Sequence, residues 1–477
     1  MPTEVKLRKM LHPKRWESRT PAPANSTAGS FIVSDKYDLI NGAKAFYVQS
    51  AAVIYMYEGD EDSWIQLPAS GLTGTFGAGA CGEFRALGAM GGTFNQTVTA
   101  GGIASLTTNK TIVRNLGGMR LRVVAGTGLG FDGTVVSNTI GANSVITASG
   151  GTFDATTVFQ LFSGSLWMTT AAAIGFGVYD RATNAWTARS VVGLPAWGTD
   201  GQLVSTIGSA KEFATGTATA GASTTLTNSG KTWETNMWAN YQIRIKSGTG
   251  AGQIRPIASN TGSIITVSVA WAVNPDATSV YAIEGNSDFM YLLGNNAVTL
   301  YRYTVSTNTW ATITPTAARA AAMGAGASAN WVDYVEGWDN ETLVNHNQAG
   351  TLFKQNGRYL FSFRGGATNA LDIYDIVANT WVSNFTYGNQ NETFTAGTHS
   401  CDLDGSIYLQ KEATGRFFRF NIKDNILTSL SSNVTPQGAV LTGNRMFILP
   451  YVDDVTEIVF LYTIIHTSTI LNRCLLV

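Results

Sequence analysis

The feature that most constrains this chain is a hairpin motif that recurs along its length. An aromatic residue is followed, across a polar turn, by Trp or a large apolar residue seven positions later. The copies are Tyr57-EGDEDS-Trp64, Tyr179-DRATNA-Trp186, Tyr303-TVSTNT-Trp310, Tyr374-DIVANT-Trp381 and Phe420-NIKDNI-Leu427, with a degenerate sixth from Tyr462 to Ile470. The residues before each aromatic alternate as in a strand (IYMYEG, LYRYTV). The Asp/Thr/Asn cluster suits a reversal, because these side chains satisfy turn backbone groups and tolerate left-handed conformations. A further strand, often led by Gly, lies upstream, as in DGSIYLQ at 404–410 and NGRYLFSF at 356–363. Trp64, Trp186, Trp310, Trp381 and Leu427 are therefore structural repeat positions, and Trp186, Trp310 and Trp381 are expected to be largely buried.

This layout resembles the kelch repeat, most closely in FRGGATNALDIYDIVANTW, with Gly365-Gly366, Tyr374-Asp375 and Trp381. The other copies keep the Trp spacing without the double Gly. The resemblance implies four-stranded propeller blades of about 50 residues. Trp381 to Leu427 spans 46 residues, one blade, whereas Trp64 to Trp186 spans 122 and Trp186 to Trp310 spans 124. Each long interval must hold extra chain. The expected fold is all-β: a six-bladed kelch-like β-propeller with two homologous small β-module insertions and an extended N-terminal arm. A helical turn is expected around 317–347.

The two extra segments are copies of one another. The first reads TAGGIASLT at 99–107, RLRVVAGTGLG at 120–130, SNT at 137–139 and DATTVF at 154–159. The second reads TAGASTTLT at 219–227, QIRIKSGTGAG at 242–252, SNT at 259–261 and DATSVY at 276–281. Arg122 and Arg244, Gly126 and Gly248, and Asp154 and Asp276 are each offset by 122. Both segments fall between the first and second strands of their blade, so the modules should stand side by side. The expected division is 1–27 arm and linker; 28–91, 166–213 and 287–477 propeller; 92–165 and 214–286 inserted modules. A dinucleotide reading of the Gly-rich stretch would need a following helix, and IRPIASNT is not one. The GTG-x-G…SNT…DAT pattern is similar to a module found repeatedly in virion proteins of tailed bacteriophages.

Charged residues make up 13% and the net charge is −1, which argues against a nucleic-acid partner. Cys81, Cys401 and Cys474 are too few for a disulfide framework. The first twenty residues lack the apolar core of a signal peptide. The run Ile458 to Leu471 is too short and too polar to span a membrane, and reads as two buried strands.

Chemistry needs clustered groups, and only four histidines exist: His12, His346, His399 and His466. His399 and Cys401 would share one face of a strand, but an ordinary strand entering a blade is the preferred reading. A kelch-type copper radical oxidase would need a Tyr–Cys crosslink and two histidine ligands, and no such set is present. The arginine triad and repeated S-x-D-x-G-x-x-W turns of a sialidase are also missing. No catalytic, cofactor or metal residues are assigned, and the chain is expected not to be an enzyme.

The basic start (Lys6, Arg8, Lys9, Lys14, Arg15 and Arg19, with Trp16 as an apolar anchor) precedes the linker TPAPANSTAGS. Such an arm suits contact with a neighbouring subunit. The resemblance implies a structural protein of a tailed-phage virion, in the tail, collar or head vertex, with other virion proteins and copies of itself as partners. The alternative is a glycan- or receptor-binding propeller using Trp331 and Trp338 as exposed aromatics. A propeller enzyme is the third reading.

Overall fold

A computed structural model describes the chain except residues 1–15, 25–29, 35–43, 49–52, 60–61, 70, 75, 78, 86–95, 113–115, 117–118, 163–164, 171–173, 181–183, 196–200, 206–211, 287, 295–296, 333, 336, 339–354, 390, 397, 404, 412–415, 431–445, 454–455, 465–470 and 477. Among the described residues every regular element is a strand. Described residues 317–332 contain no helix; 339–347 lie outside the description.

Six of the sheets are four-stranded and antiparallel. In chain order the first five are Phe31–Ser34, Lys44–Val48, Ile54–Glu58 and Ser63–Gln66; Cys81–Arg85, Ser165–Thr169, Phe176–Asp180 and Ala185–Ala188; Gln202–Ser205, Phe289–Leu293, Leu300–Thr304 and Thr309–Ile313; Ser328–Val332, Tyr359–Phe363, Leu371–Asp375 and Thr380–Phe385; and Thr398–Leu403, Ser406–Lys411, Arg416–Asn421 and Ile426–Leu430. The sixth combines Met446–Asp453, Thr456–Ile464 and Leu471–Leu476 with Trp16–Arg19 from the other end of the chain. First strands touch one another in cyclic order, the sixth returning to the first.

Apolar side chains fill each gap between neighbouring sheets. Phe31 and Met56 meet Phe84 and Leu166 between sheets one and two, and Trp167 and Val178 meet Leu292 and Tyr303 between two and three. Tyr291 meets Trp331 and Tyr374, Phe361 meets Phe418, Tyr408 meets Met446, and Phe447 meets Ile32 and Tyr57, closing the circuit. A sheet covered on both faces needs apolar residues on both. Accordingly SLWMT, FGVYD, YLFSF and LDIYD are buried at every position rather than at alternate ones. The layout is propeller-like.

Two expectations are corrected here. Trp16 and Arg19, assigned to a free arm, belong to a strand: Trp16 pairs with Cys474 and Arg19 with Leu471. Without them Leu471–Leu476 would be an edge strand with unpaired backbone groups, which Trp16–Arg19 covers. Trp331 is not exposed but 4% accessible, its ring stacked on Tyr291 at 5.7 Å. Tyr462 of the degenerate sixth copy lies opposite Arg473 and stacks on Phe447; Ile470, the other end of that copy, lies outside the described residues.

Two larger sheets interrupt the ring sheets. Between Cys81–Arg85 and Ser165–Thr169 the chain builds six strands from Gln96–Thr97 to Val158–Phe162. Between Gln202–Ser205 and Phe289–Leu293 it builds seven, from Glu212–Thr217 to Val280–Glu284. Each has its own apolar core, around Leu121 and Phe159 in the first and around Trp238 and Tyr281 in the second. We call them module one and module two.

Candidate functional site: paired modules on a locked ring

The repeated motif is a lock within and between sheets. Tyr57, Tyr179, Tyr303 and Tyr374 lie directly opposite Trp64, Trp186, Trp310 and Trp381 on adjacent strands, and Phe420 lies opposite Leu427. The four Tyr–Trp ring pairs repeat at 4.9, 5.0, 5.0 and 5.3 Å. Five residues after each Tyr stands Asp62, Asn184, Asn308 or Asn379, each left-handed (φ 50, 53, 54 and 48°) and each accepting the Tyr hydroxyl at 2.6–2.8 Å. Asn and Asp tolerate that conformation at low cost.

The lock also reaches the preceding sheet. Trp64, Trp186 and Trp310 donate from Nε1 to the carbonyls of Thr20, Pro68 and Ser190. Arg19 approaches Asp62 at 3.3 Å and donates to the Tyr57 hydroxyl, so it serves the first of these locks. Trp381, Trp310 and Leu427 are buried, whereas Trp64 and Trp186 are only half-buried, less than the repeat position led us to expect for Trp186. Burial pushes the Tyr303 hydroxyl up to about 12. The Gly365-Gly366 pair (φ 69 and 64°) is needed because a Cβ on Gly365 would sit 2.5 Å from the Ala327 nitrogen.

The Asp-centred turns of the two modules share most of their hydrogen bonds. In module one, Asp154 accepts the Thr156 N–H and hydroxyl and the Thr127 hydroxyl, and Thr157 donates to the Thr127 carbonyl. In module two, Asp276 accepts the Thr278 N–H and hydroxyl, and Ser279 donates to the Thr249 carbonyl. The hydrogen bonds from Thr156 and Thr127 hold Asp154 below the usual carboxylate range. Gly126 and Gly248 lie against the carbonyls of Thr156 and Thr278, where no Cβ fits. The Gly-rich turns lead into strands Asp132–Asn138 and Ile254–Asn260, so they are β-turns and not the mouth of a nucleotide-binding helix.

A charged cluster joins the modules. Glu284, fully buried, accepts from Arg244 Nε at 2.8 Å within module two and lies 3.5 Å from Arg122 of module one. Gln242 also donates to Glu284, and Arg244 and Lys246 donate to Glu212. On the other side Arg120 and Arg122 donate to Asp132. Burial works against the charge on Asp132, yet the bonds from Arg120 and the field of Arg122 keep it below the usual carboxylate range.

Module two also grips the ring. The Tyr241 hydroxyl donates to the Asn356 carbonyl at 2.7 Å, Gln355 to the Met237 carbonyl at 2.7 Å and Asn240 to the Ile376 carbonyl at 2.9 Å. The Phe213 ring fits against Gly357.

Of the residues expected to make assembly contacts, Lys6, Arg8, Lys9, Lys14 and Arg15 lie outside the described residues. Trp16 and Arg19 are in the ring. His399 is buried and Cys401 half-buried, and among the described residues no group of three metal-ligating side chains converges. A cavity of about 80 Å³, lined by all six first strands with Glu83, Gln202, Asn330 and Asp402 among them, marks the ring axis. It is far below the roughly 300–1,000 Å³ of a typical ligand pocket. Neither the charged cluster nor the module-to-ring bonds carried a sequence signal beyond the paired Arg122 and Arg244.

No protein family and no curated protein matches the sequence. Solved structures similar to it at low scores include a catalytically inactive virginiamycin B lyase from Staphylococcus aureus with quinupristin (9% identity, TM-score 0.35, covering 97% of this chain and 99% of that one). The endosialidase of phage phi92 matches at 9% identity and TM-score 0.32, over 98% of this chain and 70% of that one. A mitotic checkpoint complex chain matches at 9% and 0.32, over 97% and 91%.

Proposed function

We propose that the chain is a six-bladed kelch-like propeller bearing two inserted modules, and that it is a non-catalytic structural component of a tailed-phage virion. The observation that carries this reading is the module pair. Two duplicated modules stand together on a ring locked sheet to sheet, and they hold six of the large apolar side chains left exposed: Ile103, Leu129, Val136, Ile140, Val269 and Val273. Ile103, Val136 and Ile140 correspond to Ser223, Ala258 and Gly262 in the twin module, which builds its matching sheet without large apolar residues there. Apolar side chains the fold does not require fit a contact surface toward other virion proteins or further copies of the chain. The basic residues Lys6 to Arg15 supply a second contact. A glycan-binding role is the second reading, but burial of Trp331 removes one of its two anchors and Trp338 is half-buried.

The test is truncation of residues 1–15, keeping Trp16–Arg19 so that the sixth sheet stays complete. The shortened chain should fold and remain soluble but fail to enter its particle. Incorporation at full occupancy would show the basic residues to be a passive tail.

A further inference from the structure

We infer that Arg122 and Glu284 form a latch that holds module one to module two, and that opening it frees module one while module two stays on the ring. The two modules are fastened differently. Module two is bonded to ring sheet four through Tyr241, Gln355 and Asn240. Module one leans on module two through a small self-matching contact. A Cβ on Gly252 would lie 2.7 Å from the Val124 carbonyl, and one on Gly130 would lie 3.3 Å from the Lys246 carbonyl. Val124 is the counterpart of Lys246, and Gly130 of Gly252, in the duplicated sequence. Residue i of one module thus meets residue j of the other and the reverse, as in a two-fold pairing of like units.

Such a pairing brings Arg122 and its counterpart Arg244 together near the centre, two guanidinium groups that repel. Glu284 is ion-paired with both. Among the described residues the charges paired around it are Arg120, Arg122 and Asp132 from module one, with Glu212, Arg244 and Lys246 from module two: four cations and three anions once Glu284 is included. Asp132 is committed to Arg120 and Arg122, and Glu212 to Arg244 and Lys246. Loss of the Glu284 charge therefore leaves two buried arginines facing each other. Removing one partner of a buried pair is costly because the remaining charge stays out of water. Here that cost falls on the boundary between the modules.

The test is amide hydrogen exchange on the full chain carrying Glu284→Gln, Arg122→Gln or both. Glu284→Gln should speed exchange in strands 120–125 and 132–138 on the order of a hundredfold, with ring strands 289–293 and 359–363 unchanged. Arg122→Gln leaves Glu284 bonded to Arg244 and Gln242, so it should fold and speed the same strands by about tenfold. The double variant should fall short of the product of the two, because it no longer strands both arginines. Unchanged exchange in module one with Arg122→Gln would overturn the latch. So would an equal rise at residues 237–241 and 355–360, which would make Glu284 a general core residue. Should Glu284→Gln fail to fold, Arg122→Gln alone decides.

Discussion

The Tyr303 hydroxyl donates to Oδ1 of Asn308 at 2.7 Å, and the same oxygen accepts the backbone N–H of Ser190 from the preceding sheet at 2.9 Å. One side chain in a left-handed turn thereby ties its own hairpin to its neighbour. Asn308→Ala removes both bonds and strains φ at 54°, and should cost about 2–3 kcal/mol. Tyr303→Phe leaves the Ser190 bond in place and should cost about 1 kcal/mol. Trp381→Ala, which empties a buried site between sheets three and four, should cost about 3–5 kcal/mol. Denaturant unfolding of the three variants checks the order; a loss under about 1 kcal/mol for Trp381→Ala would contradict the lock.

The module turns give a sharper contrast between glycines. A Cβ on Gly126 would sit 1.9 Å from the Thr156 carbonyl oxygen, and one on Gly248 2.0 Å from that of Thr278, both at positive φ. Gly102, on the edge strand, has open space around it. Gly126→Ala and Gly248→Ala should each destabilise their module by more than about 2 kcal/mol, and Gly102→Ala should stay within about 0.5 kcal/mol. Thermal unfolding of the three would show whether the Gly-Thr-Gly turn is a steric requirement.

Deletion should affect the two modules unequally. Replacing 92–164 by a short linker breaks the Arg122–Glu284 pair and the Leu129–Gly252 contact but leaves the ring sheets complete. Closing such a gap costs little, because loop entropy changes slowly with length. Replacing 212–286 uncovers Asn356, Gln355 and Gly357 on the ring. Calorimetry should show cooperative ring unfolding in both, with the larger drop in midpoint for the second. Equal drops would mean that module two does not brace the ring.

Stability should fall at both ends of the pH range. Burial pushes Tyr303 and Tyr387 up to about 12. A folded value raised above the ordinary one of about 10 means the stabilisation is complete below about pH 10 and lost as pH rises toward about 12. Asp372 runs the other way: burial opposes its charge, but Arg364 and Arg319 hold it below the usual range. Its contribution is complete above about pH 4 and lost as pH falls through the lower folded value. Phenolate absorbance followed beside circular dichroism checks the alkaline limb. These tyrosines should ionise only as the fold is lost, and full ionisation of an intact fold would contradict their burial.

The all-β class and the repeated hairpin were legible because one local rule generates them. A Tyr and a Trp seven apart face each other only if a tight turn separates them, and Asn308 or Asn379 supplies that turn. The duplication was legible for a like reason: Asp154 and Gly126 recur as Asp276 and Gly248 because the same bonds recur. What the sequence hid depends on distant partners. Trp16–Arg19 reads as the end of a basic arm until Leu471–Cys474 stands beside it. Trp331 reads as exposed until Tyr291 from another sheet covers it. Glu284 has no counterpart carboxylate in module one, where Phe162 stands at the matching position, so repetition gave no sign of the cluster.

The proposed structural role is tested most directly by imaging purified virus particles for the chain. The account predicts the ring in a fixed number of copies per particle, with the module faces carrying Ile103, Val136 and Ile140 buried against a neighbouring subunit. Absence of the chain from any particle, or copies in which those faces stay bare while the ring axis holds a ligand, would contradict it.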